Sequence, residues 1–231
     1  MSVAVMAVFG VGFLLGLRHA LEPDHMIAVS TIASRSGSLL KAAMAGIFWG
    51  IGHTMTLLIV GMLLIGIRVT IPPAVEQWLE AGVGIMLIVL GWMSVRAIWK
   101  EKVHVHAHEH DGERHIHFHS HKNQGDHEHH HVENPHRASI LIGMIHGIAG
   151  SGALAMMTMA SIDTTMQAII YILLFGLGTI LGMLMFTLFL GLPFILFAKY
   201  SEKTVQILGI ATGCLSIIYG VYYAYQCLII A

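Results

Sequence analysis

LGLRHALEPDH, residues 15–25, places five ionisable side chains (Arg18, His19, Glu22, Asp24 and His25) directly behind fourteen residues, MSVAVMAVFGVGFL, that carry none. An unpaired charge at the centre of a membrane helix costs about 2.5–3.5 kcal/mol even on lenient insertion scales, so such a cluster needs partners or a function. A bound cation is the obvious compensation. Imidazole together with carboxylate suits divalent transition metals such as nickel, cobalt or zinc, whereas alkali and alkaline-earth ions prefer all-oxygen sites.

The surroundings of this stretch are those of a membrane protein. Of 231 residues, 56% are hydrophobic and 11% charged, with a mean hydropathy of +0.75; soluble domains carry about 25% charged residues. A soluble globular protein is excluded. Twelve of the 25 charged residues fall between Lys100 and Arg137, so two apolar blocks, 1–99 and 138–231, flank a hydrophilic insert, 100–137. The insert also holds 13 of the 17 histidines, leaving His19, His25, His53 and His146 in the apolar blocks. A net charge of −1 without a basic cluster gives nucleic acid nothing to bind. The two cysteines, Cys214 and Cys227, share one apolar segment and read as packing residues. The N-terminus lacks the basic region and cleavage site of a signal peptide and is expected to stay.

A spanning helix needs about 20 mostly apolar residues. Six segments qualify: 3 to 33, 40 to 67, 73 to 99, 138 to 161, 164 to 198 and 204 to 230. The first and fifth are long enough to be tilted or broken, and Pro23 predicts a break in the first. Lys and Arg concentrate in the odd-numbered connections, which places those in the cytosol and both termini outside. LGLRHA (15–20) aligns with IGMIHG (142–147), FWGIGH (48–53) with LFGLGT (174–179), and GVGIMLIVLG (82–91) with ATGCLSIIYG (211–220), at offsets of 127, 126 and 129. Three helices per copy is an odd number, so the second copy enters from the opposite side. The expected fold is therefore all-α and polytopic, about six transmembrane helices in a 3+3 inverted repeat, an architecture that puts substrate near the midplane where broken helices meet. Five G-x-x-x-G pairs, 12/16, 46/50, 143/147, 178/182 and 209/213, predict close backbone packing.

On an unbroken helix His19, Asp24 and His25 point about 0°, 140° and 240° around the axis. They converge on one ion only if Pro23 unwinds the chain; otherwise Arg18 and Glu22 simply pair at i,i+4. His53 follows two glycines in GIGHT, which let another backbone come near, and His146 is the repeat-mate of His19. Met156, Met157 and Met159 read as packing residues, and Asp163 as a helix cap.

His19-x4-Asp24-His25 resembles the H-x4-D-H signature of the nickel/cobalt transporter (NiCoT) superfamily. The surrounding LGLRHALEPDHMIAVSTI, with GIGHT (50–54), HGIAGSGAL (146–154) and FGLGTILGM (175–183), is similar to its smaller branch of urease-accessory-type permeases. The resemblance covers nearly the whole chain. It implies transport of divalent nickel or cobalt as cargo, with no resident cofactor and no enzymatic activity. It also implies His19, Asp24 and His25 at the recognition site and His53 in a second motif. Urease or hydrogenase maturation proteins, or a metallochaperone, are the implied partners. Two departures stand out: the larger permeases have eight helices, and they carry an aspartate motif in the second half where this chain has the uncharged HGIAGSGAL. A histidine-rich insert is also found in related exporters, which leaves direction open.

From His104 the insert runs largely as His-x-His, and its polarity predicts disorder without metal. Neutral imidazoles there would buffer metal or gate its passage. His127-Glu128-His129-His130-His131 matches H-E-x-x-H, but in so histidine-rich a tract the match carries no weight. A di-iron membrane oxidase would need more intramembrane histidines than four. A membrane-anchored metal sensor or chaperone is the rival outside transport, and it would depend on 104–136 rather than on His19 and His25.

Overall fold

The computed structural model describes residues 3–34, 36, 38–67, 69, 71–101, 104–110, 113–119, 137–149, 164–198 and 201–230. Within the apolar blocks the elements are all helices, which satisfy their backbone groups internally as lipid requires. They are α1 (Val3–His19), α2 (Pro23–Ala33), α3 (Leu39–Ile67), α4 (Pro73–Glu101), α5 (Arg137–Ala149), α6 (Thr165–Ala198) and α7 (Glu202–Tyr225), the last running into a π-helical turn, Gln226–Ile230. Large apolar residues such as Leu14, Trp78, Trp99, Phe189 and Ile229 are more than half exposed, a surface suited to acyl chains rather than water. The protein is a multi-pass membrane protein.

Six spans were the expectation, and the helices divide differently. Among the described residues four helices are long and apolar enough to cross a membrane: Leu39–Ile67, Pro73–Trp99, Thr165–Ala198 and Lys203–Ile229. The first segment is split into α1 and α2, because Pro23 opens a new helix and holds Glu22 in extended backbone (φ −67°, ψ 146°). The fourth is helical over Arg137–Ala149; residues 150–163, including Met156, Met157, Met159 and Asp163, lie outside the described residues. The fifth, expected to tilt or break, runs as one 34-residue helix with Pro193 near its end.

Helices α1, α2 and α3 pack on α6, and α4 packs on α7. All ten glycines of the five G-x-x-x-G pairs touch another helix. A Cβ at Gly16 would strike the Phe175 carbonyl and one at Gly143 that of Trp49; at Gly178 it would strike Phe13, and at Gly52 Ile140. Gly84 and Gly220 meet backbone to backbone, as do Gly91 and Gly213. Between those last two contacts the buried Ser216 hydroxyl donates to the Leu87 carbonyl at 2.7 Å. Ser216→Ala is expected to cost about 1 kcal/mol, read as a small fall in the thermal midpoint of the detergent-solubilised protein. Of the cysteines, Cys227 is buried, its thiol 3.6 Å from the Glu80 carboxylate, and Cys214 is exposed.

In the insert, β1 (His104–His110) and β2 (Glu113–His119) form an antiparallel hairpin. Over these residues the His-x-His alternation coincides with the two-residue strand period. Residues 120–136 lie outside the described residues.

Candidate metal centre

The site is built where α1 stops. Leu21 N–H donates to the Arg18 carbonyl at 2.9 Å and Glu22 N–H to that of His19 at 3.0 Å, so the chain turns within Ala20–Glu22 before Pro23 starts α2. This turn removes the angular spread of a straight helix and brings His19 beside His25, ring centroids 4.4 Å apart. Asp24 then falls in the first turn of α2, where the positive end of the helix dipole favours a carboxylate.

Two other helices complete the cluster. α3 brings His53 and α5 brings His146, and the seam between them is made by glycine: Gly52 lies against Ile140, Gly143 against Trp49, and Gly147 against His53 itself. A larger residue at any of these would push a histidine away. His25, His53 and His146 are 1%, 1% and 2% exposed, and Asp24 8%.

All five residues singled out from sequence meet here. Asp24 is central: Oδ2 lies 2.8 Å from His146 Nε2 and Oδ1 3.3 Å from His25 Nδ1. His19 Nε2 faces His53 Nε2 at 3.1 Å. Two three-donor sets result, His19–His25–His53 and Asp24–His25–His146, each with its ligand atoms within 4.8 Å of one another. Imidazole nitrogen binds a dication such as zinc at about 2.0–2.1 Å in tetrahedral geometry, so donors sharing one ion lie about 3.4 Å apart; each set would draw in around an ion. Among the described residues, His25 Nε2, His53 Nδ1 and His146 Nδ1 are buried without a hydrogen-bond partner. Leaving such groups unpaired costs about 1–3 kcal/mol each, and nitrogen lone pairs aimed at an ion would offset that.

Three residues that the sequence does not single out as parts of the site belong to it. Glu22 was weighed only as a partner for Arg18; its carboxylate lies 2.9 Å from His19 Nδ1, on the more exposed side of the cluster. Such a contact fixes the tautomer that leaves Nε2 free to ligate. Trp49 stacks nearly parallel to His25, 6.3 Å away, and stands 5.6 Å from His146, while Phe175 covers His19 at 5.4 Å. These rings wall the site with apolar surface. Trp49 precedes the G-x-G-H run, but nothing in its type separates it from a lipid-facing tryptophan such as Trp78.

Buried imidazoles and a carboxylate, converging at a helix break within an apolar bundle, are what a membrane carrier of transition-metal cations requires. Residues 5–205 match the family described as high-affinity nickel-transport protein, NicO, and the chain belongs to that family. It is 40% identical over 225 residues to the urease accessory protein UreH of Bacillus sp. (strain TB-90), covering 97% of this chain and 93% of that protein. It is also 24% identical over 182 residues to the chloroplast protein FOR GROWTH AND FERTILITY 1 of Arabidopsis thaliana, spanning 78% of this chain and 48% of the plant protein. No solved structure matches the chain.

Proposed function

We propose that the protein carries Ni²⁺, with Co²⁺ next in preference, across the cell membrane, and that the direction is inward. His19, Asp24, His25, His53 and His146 are the ligands. The observation that carries this is the gathering of the five into two three-donor sets that share His25, with three ring nitrogens unpartnered among the described residues. Asp24 offsets part of the ion's charge and the imidazoles replace part of its hydration shell. The family's nickel transport and the naming of the UreH relative as a urease accessory protein support nickel and uptake, and they make a maturation protein or metallochaperone a fitting recipient.

The helices are read as a 3+3 inverted repeat, 1–99 against 138–231. Its support is a reciprocity of contacts: Gly16 against Phe175 answers Gly143 against Trp49, Gly178 against Phe13 answers Gly52 against Ile140, and Gly84–Gly220 answers Gly213–Gly91. Each pair is exchanged by the offsets of 127, 126 and 129 read from the sequence. On this reading the halves rock about the site, with both termini outside and the insert 100–137 cytosolic, as the Lys/Arg distribution favours.

Cells expressing the protein should accumulate more radiolabelled nickel than vector controls, and Asp24→Asn should lower that accumulation at least tenfold at equal protein in the membrane. Depletion of nickel below the control would make the protein an exporter, and unchanged accumulation by Asp24→Asn would remove the carboxylate from the site.

A further inference from the structure

We propose that Glu80 and Cys227 form a second, outer binding site for the transported cation, a staging post between the outer face of the membrane and the cluster around His25. The inference rests on the reading of the protein as an inward carrier, and it adds two residues which that reading does not use. Glu80 lies two turns inside a spanning helix, α4. It shares one face of α4 with Gly84, Leu87 and Gly91, at spacings i, i+4, i+7 and i+11, and those three meet Gly220, Ser216 and Gly213 of α7. The Glu80 carboxylate is therefore turned into the seam between two helices, where it accepts from the Cys227 thiol at 3.6 Å. Cys227 is 5% exposed and belongs to the π-helical turn that ends α7, a rare conformation that recurs at functional sites.

A carboxylate within a membrane span is costly unless a cation compensates it. Among the described residues no Lys, Arg or His pairs with Glu80, and the charges that act on it are themselves carboxylates, Glu76 one turn earlier and Asp24 of the central cluster. A divalent ion relieves that repulsion. Tyr223 of α7 is acted on by both Glu80 and Asp24, and with Tyr219 it packs against Ala28 and Val29 of α2, so the seam leads toward the helix that carries Asp24 and His25. Carboxylate oxygen with thiolate sulfur is a donor pair whose affinity for divalent metals rises through cobalt and nickel; Cys227 binds as the thiolate, its proton leaving to the outer solution. Two protein donors leave most of the hydration shell in place, so the ion is held weakly enough to move on. The start of α4 and the end of α7 lie opposite the end of α4 that enters the insert, which is the outer side by the Lys/Arg distribution.

Co²⁺ is the probe, because cobalt bound to thiolate absorbs in the near ultraviolet by charge transfer and cobalt bound to imidazole or carboxylate does not. The 17 histidines are thus silent, and only Cys214 and Cys227 can report. Titrated into the full-length protein in detergent, Co²⁺ should raise this band in wild type and equally in His25→Ala, whose central site is broken. Cys214→Ala should keep the band and Cys227→Ala should lose it. Glu80→Gln keeps the thiol and should weaken the cobalt affinity read from the band by at least the roughly tenfold that loss of even an outer contact costs a metal site. In cells, Glu80→Gln should raise the nickel concentration giving half-maximal accumulation several-fold, with the maximal rate close to wild type. No band in wild type, a band surviving in Cys227→Ala, or unchanged affinity in Glu80→Gln overturns the outer site. Absence of the band with accumulation intact sinks this pair alone; absence of accumulation with the band intact sinks the carrier, and with it the role of the pair in transport.

Discussion

Nickel accumulation by His25→Ala is expected to fall to the vector level, with the protein still present in the membrane. His25 is the one residue common to both three-donor sets, so no rearrangement of the others replaces it. His19 and His53 belong to one set, Asp24 and His146 to the other. Changes to residues that merely orient metal ligands typically cost 10–100-fold in affinity or activity, and loss of a shared ligand should cost at least the upper figure. Equilibrium Ni²⁺ binding to purified protein checks the same point without transport. Size-exclusion behaviour like wild type shows that the substitution has not unfolded the bundle. Full accumulation by His25→Ala would overturn the site.

Gly16→Ala and Gly143→Ala should each destabilise the protein by about 1–3 kcal/mol, the usual cost of forcing atoms into a filled interface. The obstacle at both positions is main chain, the carbonyls of Phe175 and Trp49, which cannot swing aside as a side chain would. For a chain of this size each kcal/mol moves the midpoint by roughly 2–4 °C, so thermal unfolding in detergent should begin about 2–12 °C lower. Gly10→Ala is the matched control, since a Cβ there meets nothing within 4 Å, and it should melt with wild type or slightly above. If Gly16→Ala melts with Gly10→Ala, the α1–α6 contact is not as close as described.

The candidate ligands are legible because ionisable residues in an apolar block are few and each demands a reason. His19, Asp24 and His25 could be joined to His53 and His146 by type alone, and Pro23 announced the break that lets them meet. Lengths were harder to read. Hydropathy saw one long first segment where the chain makes two helices of 17 and 11 residues, because a window average does not register the one missing N–H at Pro23. Trp49 and Phe175 were invisible as site walls, since an apolar ring facing a histidine and one facing lipid look alike until the helices are placed. Over 104–119 polarity argues for disorder, while the His-x-His alternation coincides with the two-residue period of a strand.

Among the described elements the principal helix contacts run from the first half of the chain to the second: α1, α2 and α3 lie on α6, and α4 and α2 lie on α7. Such contacts join residues far apart in sequence, and long-range closure is slow. During synthesis, then, the first four helices leave the ribosome with their natural partners still unmade, and their glycine-lined faces must rest against lipid or an insertion factor until α6 and α7 arrive. A chain truncated before residue 165 would be a set of unmatched surfaces rather than half a carrier, and the quality-control machinery of the cell would meet it as such.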